Sequence, residues 1–307
     1  MGRDEGATQQ ALRIAILGAG GQIAKGLAEE FAGRCATLYL FSREPSRLPG
    51  AHPYSAFPSF EYDLIINAAG PGDPRTIRVA NPDVFRITEF FDNLVLDYIA
   101  HRSTAMYVFL STGAVYLNGY AEVARYESRC ALPVNEITAD IYYPIAKIHA
   151  EAKHRALAAS NIADIRIFGY FSRYVSLTGG FFLSEVASAI VSGRPLRTTA
   201  SNFVRDYVCA ADIVRLIDCL RDAGVNNGAY DLLSAAPVSK GELLRAMESK
   251  FGMQIEFDES SVEGFDEAPS LPFLSDHPAA TRVGYRPAST SMEVVESEMR
   301  ALLAFRH

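Results

Sequence analysis

The sequence predicts an α/β fold built on a doubly wound parallel sheet, followed by a smaller α+β lobe. Short runs of consecutive apolar residues recur along the first half of the chain, and such runs are typical of strands buried on both faces of a parallel sheet. Each run is followed by apolar residues at helical spacing, and this alternation favours parallel pairing. The first run also ends in the glycine cluster Gly18-Ala19-Gly20-Gly21, which predicts a tight turn into a helix.

Strands and helices alternate in the first half of the chain. The predicted strands are Leu12–Gly18, Ala36–Ser42, Asp63–Gly70, Ala105–Thr112 and Ala163–Phe171, and the predicted helices are Gln22–Phe31, Pro82–His101 and Ala139–Ala159. Right-handed crossovers bring the carboxyl ends of parallel strands to one edge of the sheet. We therefore expect one crevice, lined by the loops after Gly18, Phe41, Ala69 and Ser111.

The second half has a looser pattern and predicts a substrate-binding lobe. Residues 1–11 are expected to form a disordered leader, 12–171 the main domain, and 172–307 the lobe, with residues 203–234 returning to the main domain. Helices are predicted at Phe182–Ser192, Asp212–Asp222, Lys240–Phe251 and Met292–Phe305, and strands at Ala229–Ser234 and Gln254–Asp258. The segment Ser260–Pro287 is rich in Pro, Asp and Ser, which favours a surface loop.

The composition is that of an ordinary globular protein, with 49% hydrophobic and 21% charged residues. The net charge is −7 and the sequence has no basic stripe, which speaks against nucleic-acid binding. The first residues are polar and no apolar run reaches about 18 residues, so neither a secretory signal nor a membrane span is expected. We expect a cytoplasmic location.

Cysteine and histidine spacing does not favour a metal site. The four cysteines form no C-x-x-C pair, and they are interpreted as buried thiols of a protein in a reducing compartment. His149 and His154 lie five residues apart, which places them on different faces of the predicted helix. Both are interpreted as solvated helix residues, and no metal is expected.

The glycine turn predicts a dinucleotide site. It joins a predicted strand to a predicted helix near the start of the chain, which is the context in which such a turn binds a pyrophosphate. Glycine lets the backbone approach the phosphates, and the N–H groups at the helix start hold them. The candidate contacts are Gly18, Gly20, Gly21, Gln22 and Ile23. An ordinary strand–helix turn is the alternative.

The end of the second strand bears on the choice between NAD and NADP. NAD enzymes of this type usually place Asp or Glu there to bind the ribose hydroxyls. Here the strand ends in Ser42-Arg43, and a guanidinium group suits a 2′-phosphate. NADP is therefore the expected cofactor. The alternative is a solvent-facing Arg43 beside Glu44, with NAD bound less selectively.

Tyr143 and Lys147 form a second candidate constellation. Residues four apart share a helix face, so both side chains can reach one site. A cation nearby lowers the pKa of a phenol, which could then exchange a proton with a substrate oxygen near neutral pH. Thr112 ends the preceding strand and can hydrogen-bond the same oxygen. The pair alone could be a surface contact, but its position after that strand favours a catalytic triad.

Together these motifs resemble the extended short-chain dehydrogenase/reductase family, in the branch of sugar-nucleotide epimerases, dehydratases and ketoreductases. The resemblance covers about residues 12–290 and rests on an ordered set of motifs: Gly18–Ala24, Asn67–Gly70, Ser111–Tyr116, Tyr143 with Lys147, Arg166–Gly169, and Arg205–Val208 followed by Asp212. It implies a Rossmann-type fold, a nucleotide-sugar substrate, and a homodimer paired through the helices of the Asp92 and Tyr143 segments.

The resemblance also implies a role for each candidate residue. Thr112, Tyr143 and Lys147 correspond to the catalytic triad. Further cofactor contacts are expected from the strand ends and the triad helix: Ser42, Arg43, Asn67, Ala68, Ala69, Gly70, Ser111, Tyr143, Lys147 and Tyr170. Substrate contacts are expected from Thr112, Gly113, Ala114 and Arg205, the last binding a diphosphate unless it forms a structural ion pair.

Departures from the family pattern leave three functions to compare. Gly113-Ala114 stands where the dehydratases carry an acidic pair, so dehydration is not expected. Gly169 replaces an asparagine of many relatives, and 261–272 contains no second arginine for a diphosphate. The first hypothesis is an NADP-dependent reductase of a keto-sugar, such as a nucleotide-linked 4-keto-6-deoxy sugar. The alternatives are an NAD-dependent nucleotide-sugar epimerase and a non-catalytic dinucleotide sensor.

Overall fold

A computed structural model describes residues 11–34, 36–70, 83–101, 104–117, 122–224, 227–257 and 271–306. Its centre is a seven-stranded parallel sheet in the order β3-β2-β1-β4-β5-β6-β9. The strands are β1 Leu12–Leu17, β2 Ala36–Phe41, β3 Ala51–His52, β4 Leu64–Asn67, β5 Met106–Thr112, β6 Ile162–Ile167 and β9 Asn227–Leu232. The predicted doubly wound α/β fold is confirmed.

Helices cover both faces of this sheet, because each strand presents apolar side chains on both sides. One face packs against α1 (Gln22–Ala32) and α5 (Ala210–Ala223). The other face packs against α2 (Asp83–His101), α3 (Tyr142–Ala156) and a 3-10 segment at Tyr54–Ser59. Such two-sided burial is what the short, mostly apolar runs predicted.

The chain reverses its direction across the sheet between β1 and β4. From β1 it proceeds to β2 and β3 on one side, and it then returns to β4 on the other side of β1. A crevice forms at such a switch point, outside the carboxyl ends of the two strands. The Gly18 turn after β1 and the Ala68–Ala69 segment after β4 therefore face each other, as the sequence predicted.

The remaining elements form a lobe with its own apolar core. Its helices are α4 (Phe182–Ser192), α6 (Lys240–Phe251) and α8 (Ser291–Arg306), and a short helix, α7 (Ala279–Arg282), lies beside β9. Two small sheets complete it: β10-β8-β12, from Val238–Ser239, Phe203–Arg205 and Leu271–Phe273, and β11-β7, from Ile255–Phe257 and Leu196–Thr198. The core residues of α4, α6 and α8 pack around Phe171 and Tyr207.

Several sequence predictions need correction here. The segment Ser260–Pro287, predicted as loop, contains β12 and α7 in its described part, and residues 258–270 lie outside the described residues. The strand predicted for Ala163–Phe171 ends at Ile167, where its pairing with β9 ends. The leader lies outside the described residues except for Ala11. Cys130 is exposed and Cys209 and Cys219 are partly exposed, so the prediction of buried thiols is wrong for Cys130. Cys35 lies outside the described residues.

Among the described residues, no helix has the length and apolarity needed to cross a membrane. Nor does any cluster of histidine, cysteine and acidic side chains in the described part of the chain have the arrangement of a metal site.

Candidate active site

The Gly18 turn packs tightly against the end of β4. Gly18 has φ +81°, and a Cβ atom on it would lie 2.8 Å from the backbone of Ala68 and Ala69. Its N–H and that of Ala19 both donate to the carbonyl of Phe41, at 3.1 and 3.0 Å. Only glycine fits a left-handed position with so close a backbone neighbour. The turn therefore joins the ends of β1, β2 and β4 in one crevice.

The start of α1 is suited to an anionic group. Gly21 caps the helix with no side-chain hydrogen bond, and the first turn carries no acidic residue. A Cβ on Gly20 would meet nothing within 4 Å, so the turn leaves open space in front of the helix. Helix N–H groups that no side chain caps are a ready site for phosphate. These observations fit the predicted dinucleotide.

The end of β2 places Arg43 beside the same crevice. Arg43 is exposed, and Glu44 pairs with Arg47 at 2.6 Å rather than with Arg43. Tyr54, which sequence reasoning missed, hydrogen-bonds the Gly18 backbone and lies near the Arg43 charge; burial raises the pKa of this phenol. The Ser42 hydroxyl accepts from the Glu44 N–H at 3.2 Å. The contact of Ser42 with the cofactor stays a prediction.

The candidate triad comes together at the junction of β5 and α3. Thr112 ends β5, and its hydroxyl hydrogen-bonds Tyr143 while accepting from the Ala114 N–H at 3.2 Å. The Lys147 Nζ lies 5.8 Å from the centre of the Tyr143 ring. Lys147 is 4% exposed, whereas Tyr143 is partly exposed. One face of α3 thus brings a phenol and an ammonium group to a threonine hydroxyl.

The protonation of this triad differs from the sequence prediction. Burial raises the pKa of Tyr143 to about 12, and the hydrogen bond with Thr112 lowers it only in part. Burial also lowers the pKa of Lys147 to about 8, although the charges of Asp92, Glu151 and Asp164 raise it. The expectation that Lys147 lowers the phenol pKa is therefore wrong for this structure. Desolvation is the larger effect on both groups.

A polar network lies next to the triad and begins at Ser111 and at Glu151 of α3. The Ser111 hydroxyl donates to Glu151 at 2.6 Å, and Glu151 pairs with Arg166 at 2.6 Å. Arg166 also donates to the Tyr116 hydroxyl at 3.0 Å, and Tyr116 donates to Asp231 at 2.8 Å. Each buried charge in this set has an opposite charge or a hydrogen bond. The predicted cofactor contact Ser111 therefore also has a structural partner.

Two of the predicted substrate contacts, Gly113 and Arg205, pack against phenylalanine rings. A Cβ on Gly113 would lie 2.5 Å from the Phe168 ring, so this glycine lets the ring pack against the turn after β5. The Arg205 guanidinium lies over the Phe203 ring at 4.6 Å and donates to the Val204 carbonyl at 2.8 Å.

Tyr170 lies apart from the triad. Its hydroxyl lies 2.8 Å from where a Gly26 Cβ would be, on the second turn of α1. Tyr170 thus packs against the helix whose first turn faces the crevice, and its cofactor contact stays a prediction.

Sequence reasoning missed the buried partners of α3. His154, interpreted as a solvated histidine, is fully buried: its Nε2 lies 2.7 Å from Asp92 and its Nδ1 lies 2.6 Å from Asp164. His149, on another face of the helix, is exposed as expected. The signal was Asp164 in a strand predicted to be buried, because a buried carboxylate requires a partner.

A cavity of about 620 Å³ opens elsewhere, between α3, β9 and α7. Its walls include Ile148, Arg155 and Arg282, but none of the predicted catalytic, cofactor or substrate residues. We therefore place the candidate active site at the crevice and not at this cavity.

One protein-family model matches most of this chain. The model of the NAD dependent epimerase/dehydratase family matches residues 14–232, which include the glycine turn, the triad and Arg205. No curated protein sequence is significantly similar to the chain.

Solved structures share the fold across nearly the whole chain. MoeE5, solved with UDP-glucose and NAD, has 16% sequence identity and a TM-score of 0.74, over 96% of this chain and 100% of that one. UDP-glucose 4-epimerase of Thermotoga maritima, solved with UDP-glucose, has 12% identity and a TM-score of 0.76 over the same shares. UDP-glucuronic acid 4-epimerase of Bacillus cereus has 15% identity and a TM-score of 0.70 over the same shares.

Proposed function

The chain belongs to the NAD dependent epimerase/dehydratase family, and on that premise we propose that it oxidises or reduces a hydroxyl-bearing carbon of a nucleotide-linked sugar. The observation that carries the proposal is the meeting of Thr112, Tyr143 and Lys147 beside the crevice. The solved relatives with UDP-sugars and NAD support the substrate and cofactor classes.

Different segments of the chain would bind different parts of the dinucleotide. The Gly18–Ile23 turn and the start of α1 would hold the pyrophosphate, and Asn67–Gly70 would line the opposite wall of the crevice. Lys147 would hold the nicotinamide ribose by its ammonium group. The bound dinucleotide would supply or accept a hydride at the sugar carbon.

The proton is moved by the chain itself. In reduction, the Tyr143 hydroxyl donates its proton to the sugar oxygen, and the Thr112 hydroxyl donates a hydrogen bond to the same atom. In oxidation, Tyr143 takes the proton back. Because the pKa of Tyr143 is raised to about 12, the phenol carries its proton at neutral pH. That state is the one needed to start a reduction.

Within this activity, the form we propose first is an NADP-dependent reductase of a keto-sugar, such as a 4-keto-6-deoxy sugar nucleotide. Arg43 is exposed at the end of β2 with Glu44 engaged elsewhere, which supports a 2′-phosphate contact. Gly113-Ala114 supplies no carboxylate for dehydration.

An NAD-dependent epimerase is the second candidate, and the comparisons favour it. Several solved relatives are 4-epimerases with NAD. An epimerase uses the same triad in both directions on one substrate, and it retains its cofactor through turnover. Arg205 would hold the nucleotide diphosphate in either case.

Cofactor exchange and product analysis separate these candidates. The purified protein is mixed with NADPH and a 4-keto-6-deoxy sugar nucleotide, or with UDP-glucose without added cofactor. A reductase consumes NADPH and gives a product two hydrogens heavier; an epimerase gives an isomer of equal mass and releases no dinucleotide. We expect reduction.

Tyr143→Phe is the matched control for both candidates. Without the phenol proton, we expect turnover to fall about 10²–10⁴-fold, while dinucleotide binding, measured by calorimetry, persists. Full turnover in this variant would refute the triad, and absence of turnover by the native protein with both substrate classes would refute the proposed function.

A further inference from the structure

The Lys147 ammonium lies among neighbours that sequence spacing did not reveal. Its Nζ donates to the Leu110 carbonyl at 2.8 Å and stands 4.2 Å from the centre of the Phe109 ring. The Tyr143 ring is farther away, at 5.8 Å. A cation over an aromatic face is attracted by the negative charge of that face, and the attraction grows when both groups are out of water. The nearest aromatic ring to this cation is therefore Phe109.

The Phe109 ring also packs against a group that is held in place, the His154 ring. Phe109 is 1% exposed, and its ring meets the His154 ring edge to face at 5.2 Å. Both His154 nitrogens lie within hydrogen-bond distance of carboxylates, Nε2 of Asp92 and Nδ1 of Asp164. The hydrogen bonds and charges of these two carboxylates outweigh burial and raise the pKa of His154 to about 9, which favours the imidazolium at neutral pH. We call Asp92, His154 and Asp164 the buried ionic cluster.

Further partners fix the cluster on every side. Lys153 pairs with Asp92 at 2.6 Å, and Arg155 pairs with Asp164 at 2.7 Å. The Tyr107 hydroxyl donates to Asp92 at 3.0 Å. A ring packed against groups with this many ionic bonds has little freedom to turn away from the lysine.

We propose that Phe109 is a positioning residue for Lys147: its ring, held by the buried ionic cluster, keeps the ammonium group charged and in place under the crevice. The inference rests on the proposed function for its consequence, since Lys147 must be charged to hold a ribose. It rests on this structure alone for its physical content.

The charges around Lys147 set the direction of the effect. Glu151 on its own helix, Asp92 on α2 and Asp164 on β6 favour its charged form, and burial disfavours it. The cations His154, Lys153, Arg155 and Arg166 are each paired with an acid. The Phe109 ring favours the charged form without adding a charge. Removing the ring face should therefore lower the lysine pKa further.

Nuclear magnetic resonance can measure this titration directly. The chain has only five lysines, Lys25, Lys147, Lys153, Lys240 and Lys250, so the Cε signals of isotope-labelled lysine are few, and Lys147→Met assigns the one of interest. In the native protein we expect its midpoint near pH 8, because burial lowers the Lys147 pKa to about 8. The measurement needs neither cofactor nor substrate.

Two variants remove the attraction in different ways. Phe109→Leu removes the ring, and a trifluorinated phenylalanine inserted at the same position keeps the shape while withdrawing charge from the ring face. We expect both to move the Lys147 midpoint to lower pH by about half a unit to one unit. The matched control is Phe57→Leu, which removes a fully buried ring of the same core and should leave the midpoint unchanged. The Phe57 ring packs against Phe41, Tyr62 and Tyr98.

An unchanged midpoint in the fluorinated protein would overturn the inference, whether or not Phe109→Leu folds. The inference would also be overturned if the Phe109 variants and Phe57→Leu shifted the Lys147 midpoint equally. Such a result would show that any loss of core packing has this effect. The outcome is distinct from failure of the proposed function. A protein that shows the shift but binds no dinucleotide keeps the Phe109 role and loses the function.

For a protein that binds dinucleotide, affinity against pH gives a second readout. The pH above which dinucleotide affinity weakens should fall by the same amount in both Phe109 variants.

Discussion

At the scale of single residues, we propose that Arg43 selects NADP over NAD in the crevice. Its guanidinium stands at the end of β2, and the acid next to it, Glu44, is engaged with Arg47 at 2.6 Å. A charge-assisted hydrogen bond to a phosphate contributes about 1.5–3 kcal/mol. We expect Arg43→Ala to weaken NADPH binding about ten- to a hundredfold and to leave NADH binding nearly unchanged.

Fluorescence titration with both reduced cofactors measures this ratio. Arg47→Ala is the matched control, because it removes an arginine of the same loop that already has a partner. If the native protein prefers NADH, or if Arg47→Ala changes the ratio as much as Arg43→Ala, then Arg43 does not select the cofactor.

The residue scale also shows what the sequence could and could not predict about the site. Thr112, Tyr143 and Lys147 were predictable, because strand end and helical spacing are local properties. The pKa shifts were not, because they depend on burial. His154 was missed because its partner Asp92 is 62 positions away in the sequence.

At the scale of elements, the buried ionic cluster joins α2, α3 and β6. Burial alone would lower the pKa of His154, but the hydrogen bonds and charges of Asp164 and Asp92 outweigh it and raise the pKa to about 9. Because the folded pKa lies above the value of about 6.5 for an unfolded chain, folding binds this proton. The resulting stability is fully present below that value and is lost as the pH rises through about 9.

We therefore expect His154→Gln to reduce the free energy of unfolding most at low pH. The free energy of unfolding, from urea titrations, should differ between native protein and variant by up to about 3 kcal/mol more at pH 6 than at pH 9.5. His149→Gln is the control, since this histidine is exposed on the same helix. A difference that stays constant with pH would show that His154 is not held as an imidazolium.

Elements with strong local patterns were predicted, and those made by distant pairing were not. The strands β1, β2, β4, β5 and β6 are short and mostly apolar, so their existence follows from the sequence. The pieces β3 and β10 have only two residues each. Their pairing partners come from other parts of the chain, and two residues are too few to show a hydrophobic pattern.

At the scale of the whole molecule, Arg173 ties the lobe to the sheet domain. It pairs with Glu298 of α8 at 2.8 Å and with Glu29 of α1 at 3.2 Å, and Tyr174 donates to the same Glu29 at 3.1 Å. The Arg173–Glu298 pair is partly buried and is therefore less screened by salt than the exposed bonds to Glu29. The lobe is thereby held against the helix whose first turn faces the crevice.

Assembly is the other property of the whole molecule, and the homodimer remains a prediction. We expect two copies to pair through the outer faces of α2 and α3, where Phe85, Glu89, His149 and Lys153 line a shallow groove. Phe90 on α2 is 58% exposed, and a large exposed apolar side chain is typical of an interface. Phe90→Glu should leave the stability of the monomer unchanged. In a dimer it would bury an unpaired charge, which disfavours association.

Light scattering after gel filtration tests this pairing. We expect the native protein at twice the chain mass of 33.5 kDa and Phe90→Glu at the chain mass. Phe305→Glu is the matched control, because Phe305 is 72% exposed on α8, outside these two helices. A dimer that survives Phe90→Glu but dissociates with Phe305→Glu would place the interface on the lobe. A monomeric native protein would leave both surfaces to solvent and refute the predicted assembly.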